Sequence, residues 1–340
     1  MHLLDGMPNR IILLPEASTG PGAMKTDQTQ IKRPRYMGIA TFMRAPLVQD
    51  LSSIDIAMAG VPFDGGVTNR SGARHGPREV RNQSSLMRTI HPATRQNPFD
   101  LKRIGDIGDV DFPDLFDLEA SVERIHQFYL RLTKAGVMPL TTGGDHSISY
   151  PILRALGAFA PLGLVHIDAH TDTWDSFAGS KFMHGTPFRR AVEAGAIDPR
   201  RTIQIGIRGA QTSSEGWDYS RDQGMRVVFM DEVEALGIDG IIREAHRIIA
   251  GKPCYLSFDI DALDPAFAPG TGTPEAGGFT MREAIRLVRG LGGLRLVGAD
   301  LVEVSPPFDI GGMTALNGAT LLYEMLCLLA CQPGNQHRQA

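Results

Sequence analysis

Several apolar runs in this sequence end in residue types that bind cations, and that pairing restricts the fold more than any other feature. "VMPLTTGG" from Val137, "LGLVHIDAH" from Leu162 and "PCYLSFDIDALD" from Pro253 are nearly continuous apolar segments. That is how strands covered on both faces read. "IDIAMAGVPF" from Ile54, "RTIQIGIRG" from Arg201, "MRVVFMD" from Met225 and "LRLVGADLVEV" from Leu294 follow the same pattern. The segments between them carry helical period: Leu118, Val122, Ile125, Tyr129 and Leu132 recur at three- and four-residue steps, with Gly136 as a stop. Thr280 and Glu283 form a capping box for a helix ending near Gly290. Alternating strands and helices predict an α/β fold, with a mostly parallel central sheet and helices on both faces.

At 340 residues the chain suits one large domain, taken here as 37–335. Residues 1–36 mix Pro, Gly and charges without periodicity and read as a flexible arm in which Met24 could be an alternative start. A formal net charge of -4 gives no basic footprint, so nucleic acid is not an expected partner. The three cysteines, Cys254, Cys327 and Cys331, form no CxxC pair, which suits a reducing compartment. Cys327 and Cys331, four apart, read as small core residues on one helix face. No apolar stretch looks long enough to span a bilayer and the N-terminus lacks a signal-peptide core, so no membrane partner and a cytoplasmic location are expected. No GxGxxG lies between the first strand and its helix, which sets aside a dinucleotide-binding dehydrogenase.

Three strand ends share one chemistry: "GGDHS" at 143–147, "DAHTD" at 168–172 and "SFDIDALDP" at 257–265. Ligand sites in open α/β sheets form outside the carboxyl ends of strands, so the three can converge on one crevice. In an extended segment side chains two apart share a face, which would align Asp168, His170 and Asp172, and likewise Asp259 with Asp261. His146 adds a sixth donor. A lone Asp after a strand is usually a cap and a lone His usually a satisfied core residue. Four carboxylates buried side by side would be prohibitive without cations, however, and six N/O donors exceed one tetrahedral zinc. They suit two divalent ions such as Mn²⁺. Four aspartates cancel the ions' charge and a bridging hydroxide leaves the cluster slightly negative, which would attract a cationic substrate. A pair of ions also makes hydroxide available near neutral pH.

These motifs, in this order, resemble those of the ureohydrolases, the arginase and agmatinase family of binuclear manganese enzymes, over roughly residues 35–331. The likeness extends to "MHGTPFRRA", "VEVSPP", "GPREVR" and "APGTGTPE" and is nearest to the agmatinase and guanidino-acid hydrolase branch. It implies a three-layer arginase-like fold with about eight strands, and hydrolysis of a guanidino group to urea and an amine. It implies Asp168 and Asp259 as bridging ligands, His146 with Asp172 at one ion, and His170 with Asp261 at the other. It makes His184 the proton-shuttling histidine and Glu303 the carboxylate that receives the guanidinium. It also implies a homo-trimer or homo-hexamer.

The substrate's tail is less determined. Where the arginase pattern has an asparagine reading the amino-acid end, this chain has Trp174, so free arginine is expected to be a poor substrate. Asn69 and Arg70, in the glycine-rich stretch from Phe63 to Arg81, could touch a tail. Ala276 stands where the agmatinase pattern usually carries a larger aliphatic residue, which could admit an alkylated guanidine. The candidates are agmatine, guanidinobutyrate and guanidinopropionate, or a small N-alkylated guanidine or biguanide handled with Ni²⁺ in place of Mn²⁺. Two further readings are a single-zinc amidohydrolase of the histone deacetylase type and a non-catalytic subunit in a hetero-oligomer with a homologous chain. The intact ligand set, His184 and Glu303 argue against both.

Overall fold

The computed structural model describes residues 34–333, so most of the 1–36 arm lies outside the described residues. Eight strands form a single all-parallel sheet: β1 Ile56–Val61, β2 Ile104–Asp109, β3 Met138–Gly143, β4 Leu162–Ile167, β5 Ile197–Ile207, β6 Arg226–Phe229, β7 Pro253–Asp259 and β8 Arg295–Val302. Their order is β2-β1-β3-β8-β7-β4-β5-β6. The four strands whose ends carry the acidic and histidine motifs are therefore neighbours at the centre, and four carboxyl ends open onto one crevice.

Helices cover both faces, which is why the central strands are apolar throughout. Every residue of β1, β3 and β4 is buried. Along β4, Val165 and Ile167 join the core beneath the Met230–Ile249, Met281–Gly290 and Met313–Ala330 helices, whereas Leu164 faces the core beneath Leu118–Ala135 and Ser149–Leu156. The Leu118–Ala135 helix buries Val122, Ile125, Tyr129 and Leu132 and ends at Gly136, whose left-handed φ of 65° a β-carbon would resist. Both halves of the Thr280–Glu283 capping box are formed.

Three features differ from expectation. β2 has no apolar run, because "IGDIGD" is an edge strand with exposure rising toward Asp109, so its pattern does not announce a strand. The Met313–Ala330 helix is long and apolar enough, by length and composition, to cross a membrane, although the sequence shows no obvious span. Gly318, Ala319, Leu322, Met325 and Leu326 are buried against the sheet, so the apolarity is that of a core helix. Cys331 is exposed rather than core, since it caps this helix beyond its last turn, and Cys327 is only half-buried.

Candidate metal centre

The six predicted donors meet at the carboxyl ends of β3, β7 and β4, but strand alternation is not what aligns them. β4 stops at Ile167, and Asp172 sits at φ 51°, a left-handed turn that folds its side chain back toward Asp168. Asp261 lies on the short 3-10 turn Ile260–Ala262, where its N–H donates to Asp259 Oδ1 at 2.8 Å. Turns outside the sheet, not the pleat, bring these carboxylates together.

Two clusters share Asp168. In the first, His146 Nδ1 lies 2.9 Å from Asp172 Oδ2, 3.1 Å from Asp168 Oδ2 and 3.1 Å from Asp259 Oδ2. None of the three is aligned to take a hydrogen bond from it, so Nδ1 is a buried atom without a partner. In the second, His170 Nδ1 lies 3.1 Å from Asp261 Oδ2 and 3.5 Å from Asp168 Oδ1. The His146 ring is oriented from behind: Nε2 is 2.8 Å from Ser257 Oγ, which donates to Asp300 Oδ1 at 2.6 Å. The serine must then accept from Nε2–H, which leaves the Nδ1 lone pair aimed into the carboxylates.

The residues alone do not balance this charge. Burial first, then the charges of Asp261 and Asp168, push Asp259 well above the usual carboxylate range, and burial with Asp168 raises Asp261. Burial opposes a charge on His146, but the surrounding carboxylates more than offset it and raise the ring well above its ordinary value, so they favour a cation at Nδ1, either a proton or a metal ion that takes its lone pair. A lone pair among three carboxylate oxygens, and a second histidine facing two, fit a pair of divalent cations of the kind N/O donors hold.

His184 and Glu303 stand beside the clusters. Glu303, at φ 64°, turns inward from the end of β8; its Oε1 accepts from the His146 N–H at 2.9 Å while Oε2 is buried without a partner. A β-carbon added at Gly272 would come within 3.2 Å of Oε2, so glycine keeps that approach open. His184 Nδ1 is 3.5 Å from Glu303 Oε1 and its Nε2 is 2.8 Å from Thr68 Oγ1. Burial would lower the His184 pKa, but the hydrogen bond and charge of Glu303, with Asp172 and Asp145, raise it to about 9. The loop carrying Thr68 is pinned by carboxylates, with Gly66 N–H on Asp145 Oδ2 at 2.7 Å and Gly72 N–H on Asp64 Oδ2 at 2.8 Å.

The tail candidates are placed less uniformly. Arg70 lies over Phe308, its guanidinium carbon 5.3 Å from the ring centroid, on the turn that follows Glu303. Asn69 is exposed on the same loop. The half-buried Trp174 packs against Gly185 and Gly216, behind the His184 turn. Ala276 is exposed, its carbonyl held by Arg208 Nε at 3.2 Å, and it is the adjoining Glu275 that faces His170 Nε2, at 3.9 Å. Thr68, Ser257, Asp300 and Glu275 escaped the sequence reading, as did His166, whose signal was its place on β4 two residues before Asp168.

Comparisons with known proteins agree with this geometry. Residues 54–327 match the model of the arginase family. Guanidinopropionase of Pseudomonas aeruginosa is 56% identical over 298 residues, which span 87% of this chain and 93% of that protein. The human mitochondrial guanidino acid hydrolase is 46% identical over 315 residues, 92% of this chain and 89% of that one. Among solved structures, proclavaminate amidino hydrolase from Streptomyces clavuligerus superposes with a TM-score of 0.84 at 40% identity, covering 88% of this chain and all of its own. The chain belongs to the arginase family of binuclear-metal ureohydrolases.

Proposed function

We propose that the substrate is a guanidino acid, a guanidinium on a short chain ending in a carboxylate such as 3-guanidinopropionate, which is cleaved to urea and the corresponding amino acid. The observation that carries the anionic tail is Arg70, whose guanidinium is steadied over Phe308 on the turn that follows Glu303 and whose backbone carbonyl, like Glu303 Oε2, lies beside Gly272. The likeness to guanidinopropionase, the relative at 56% identity, points the same way.

The residue roles follow from the geometry. His146, Asp168, Asp172 and Asp259 would hold one Mn²⁺, and His170, Asp261, Asp168 and Asp259 the other. When bound, the ions supply a nucleophilic water near neutral pH and a counter-charge for the tetrahedral carbon. Glu303 Oε2 takes the guanidinium N–H donors and fixes the guanidino carbon over the cluster. His184, held protonated at neutral pH by Glu303, delivers a proton to the leaving nitrogen as its bond to the guanidino carbon breaks. Water's hydroxyl goes to the carbon and its proton restores the histidine. The exposed Tyr36, Met37, Ile39 and Leu47 support assembly into a homo-trimer or homo-hexamer.

Urea release from 3-guanidinopropionate, guanidinobutyrate, agmatine, arginine, dimethylguanidine and metformin, after loading with Mn²⁺ or Ni²⁺, tests this reading. Urea from the guanidino acids with Mn²⁺ is expected. Urea from agmatine alone would overturn the anionic tail, and turnover of the alkylated guanidines with Ni²⁺ alone would replace both substrate and metal.

A further inference from the structure

His166 is completely buried on β4, two residues before Asp168. Its Nε2 lies 2.7 Å from Asp168 Oδ2, and its Nδ1 lies 3.2 Å from the side-chain nitrogen of Gln204 on β5. That Gln204 nitrogen is also 2.6 Å from the carbonyl oxygen of Thr171. A backbone carbonyl only accepts, so the Gln204 atom facing it is the NH₂ group. With one amide proton on Thr171, the other points at His166 Nδ1, which must offer its lone pair. The ring proton is then on Nε2, where it donates to Asp168. Phe188, 4.2 Å away between ring centroids, packs on the imidazole and restrains it.

The consequence falls on Asp168. Oδ2 accepts from His166 and Oδ1 from the His170 N–H at 2.6 Å, so each oxygen has one donor and keeps a lone-pair direction free. Oδ2 faces His146 and Oδ1 faces His170, one toward each cluster. His166 is near enough to the first cluster to be grouped with its donors. Its Nδ1 is spent on Gln204, however, and its Nε2 carries a proton, so no lone pair is available for an ion.

We propose that His166, locked in a single tautomer by Gln204, is a positioning residue that holds the Asp168 carboxylate across the two ion sites without itself being a ligand. Donors behind metal-ligating groups are typically worth about 10- to 100-fold in metal affinity.

The test titrates Mn²⁺ into metal-free wild-type chain, His166→Phe and Gln204→Met, with the fold checked by circular dichroism. Phenylalanine keeps the ring's volume and its packing on Phe188 but removes the donor. Mn²⁺ affinity about 10- to 100-fold weaker in His166→Phe is expected, with a smaller loss in Gln204→Met. Histidine ¹⁵N spectra of the metal-free proteins should show His166 as the Nε2–H tautomer in the wild type and as a mixture in Gln204→Met. A merely structural role would not move that signature. Unchanged affinity in a folded His166→Phe, or an Nδ1–H tautomer in the wild type, would overturn the proposal. Should His166→Phe fail to fold, the spectra and the Gln204→Met titration decide. Because these readouts concern ion binding, failure of the guanidino-acid reading would leave their outcome unaffected.

Discussion

Two buried charge clusters of this chain, one at each end of the sheet, look alike in composition and differ in balance. At the amino-terminal end, beside the start of β8, Glu324 accepts from Arg289 at 2.9 and 2.6 Å and pairs with His91 Nε2 at 2.8 Å. Burial opposes its ionisation, yet the hydrogen bonds of His91 and Arg289 hold Glu324 below the usual range. At the carboxyl end, four aspartates face two histidines, Asp259 and Asp261 are pushed upward, and His146 Nδ1 and Glu303 Oε2 have no partner. The first cluster is complete within the protein and is structural. The second is complete only with cations and a substrate. Its deficit, more than its residue types, marks the site.

The largest expected contrast comes from removing one carboxylate at each end. Asp259→Asn should abolish Mn²⁺ binding at one position at least and reduce urea release on the order of 10³-fold, while the metal-free protein melts no lower than the wild type, because Asp259 is a carboxylate that burial and its neighbours already push toward the neutral form. Glu324→Gln should do the reverse, with a loss of stability of roughly 3 kcal/mol from breaking a buried pair, seen as a lower melting temperature. Its activity per folded molecule should be unchanged. Melting curves and urea assays on both variants sharpen the comparison, and equal loss of stability in the two would break it.

A smaller effect is expected at the rim. Arg70→Ala should raise KM for a guanidino acid about 10-fold with little change in kcat, because it removes tail binding that is equal in ground and transition states. Agmatine turnover should not fall.

The smallest effect is a pH dependence. The raised pKa of His184, about 9, means that its proton is held more tightly in the folded chain than in the unfolded one. Its contribution to stability is fully present below pH 6.5 and is lost as pH rises through about 9. In the metal-free protein, the melting-temperature advantage of wild type over His184→Asn should therefore shrink between those values. A constant difference would remove His184 from the Glu303 pair.

Much of this was legible in the sequence, for identifiable reasons. Strands buried on both faces announce themselves as apolar runs, so seven of the eight were found; β2, an edge strand of "IGDIGD", has no such signature. The Asp and His positions were legible because burying so many carboxylates makes sense only with cations. The way they converge was not, since it depends on the left-handed turn at Asp172 and the 3-10 turn after Asp259. His166 and Gln204 meet across two strands 38 positions apart, which spacing alone does not reveal. The contacts that hold the Ala276 loop, from Arg208 to the Glu275 and Ala276 carbonyls, join positions 67 and 68 residues apart and leave no mark in the sequence.

The most direct measurement is the number of Mn²⁺ ions bound per chain at saturation, from equilibrium dialysis of the metal-free protein with elemental analysis. Two ions per chain, falling on Asp259→Asn but unchanged on Glu324→Gln, is the result expected if the carboxyl-end cluster is the unbalanced one. A single ion per chain, or a count that falls equally in both variants, would contradict it.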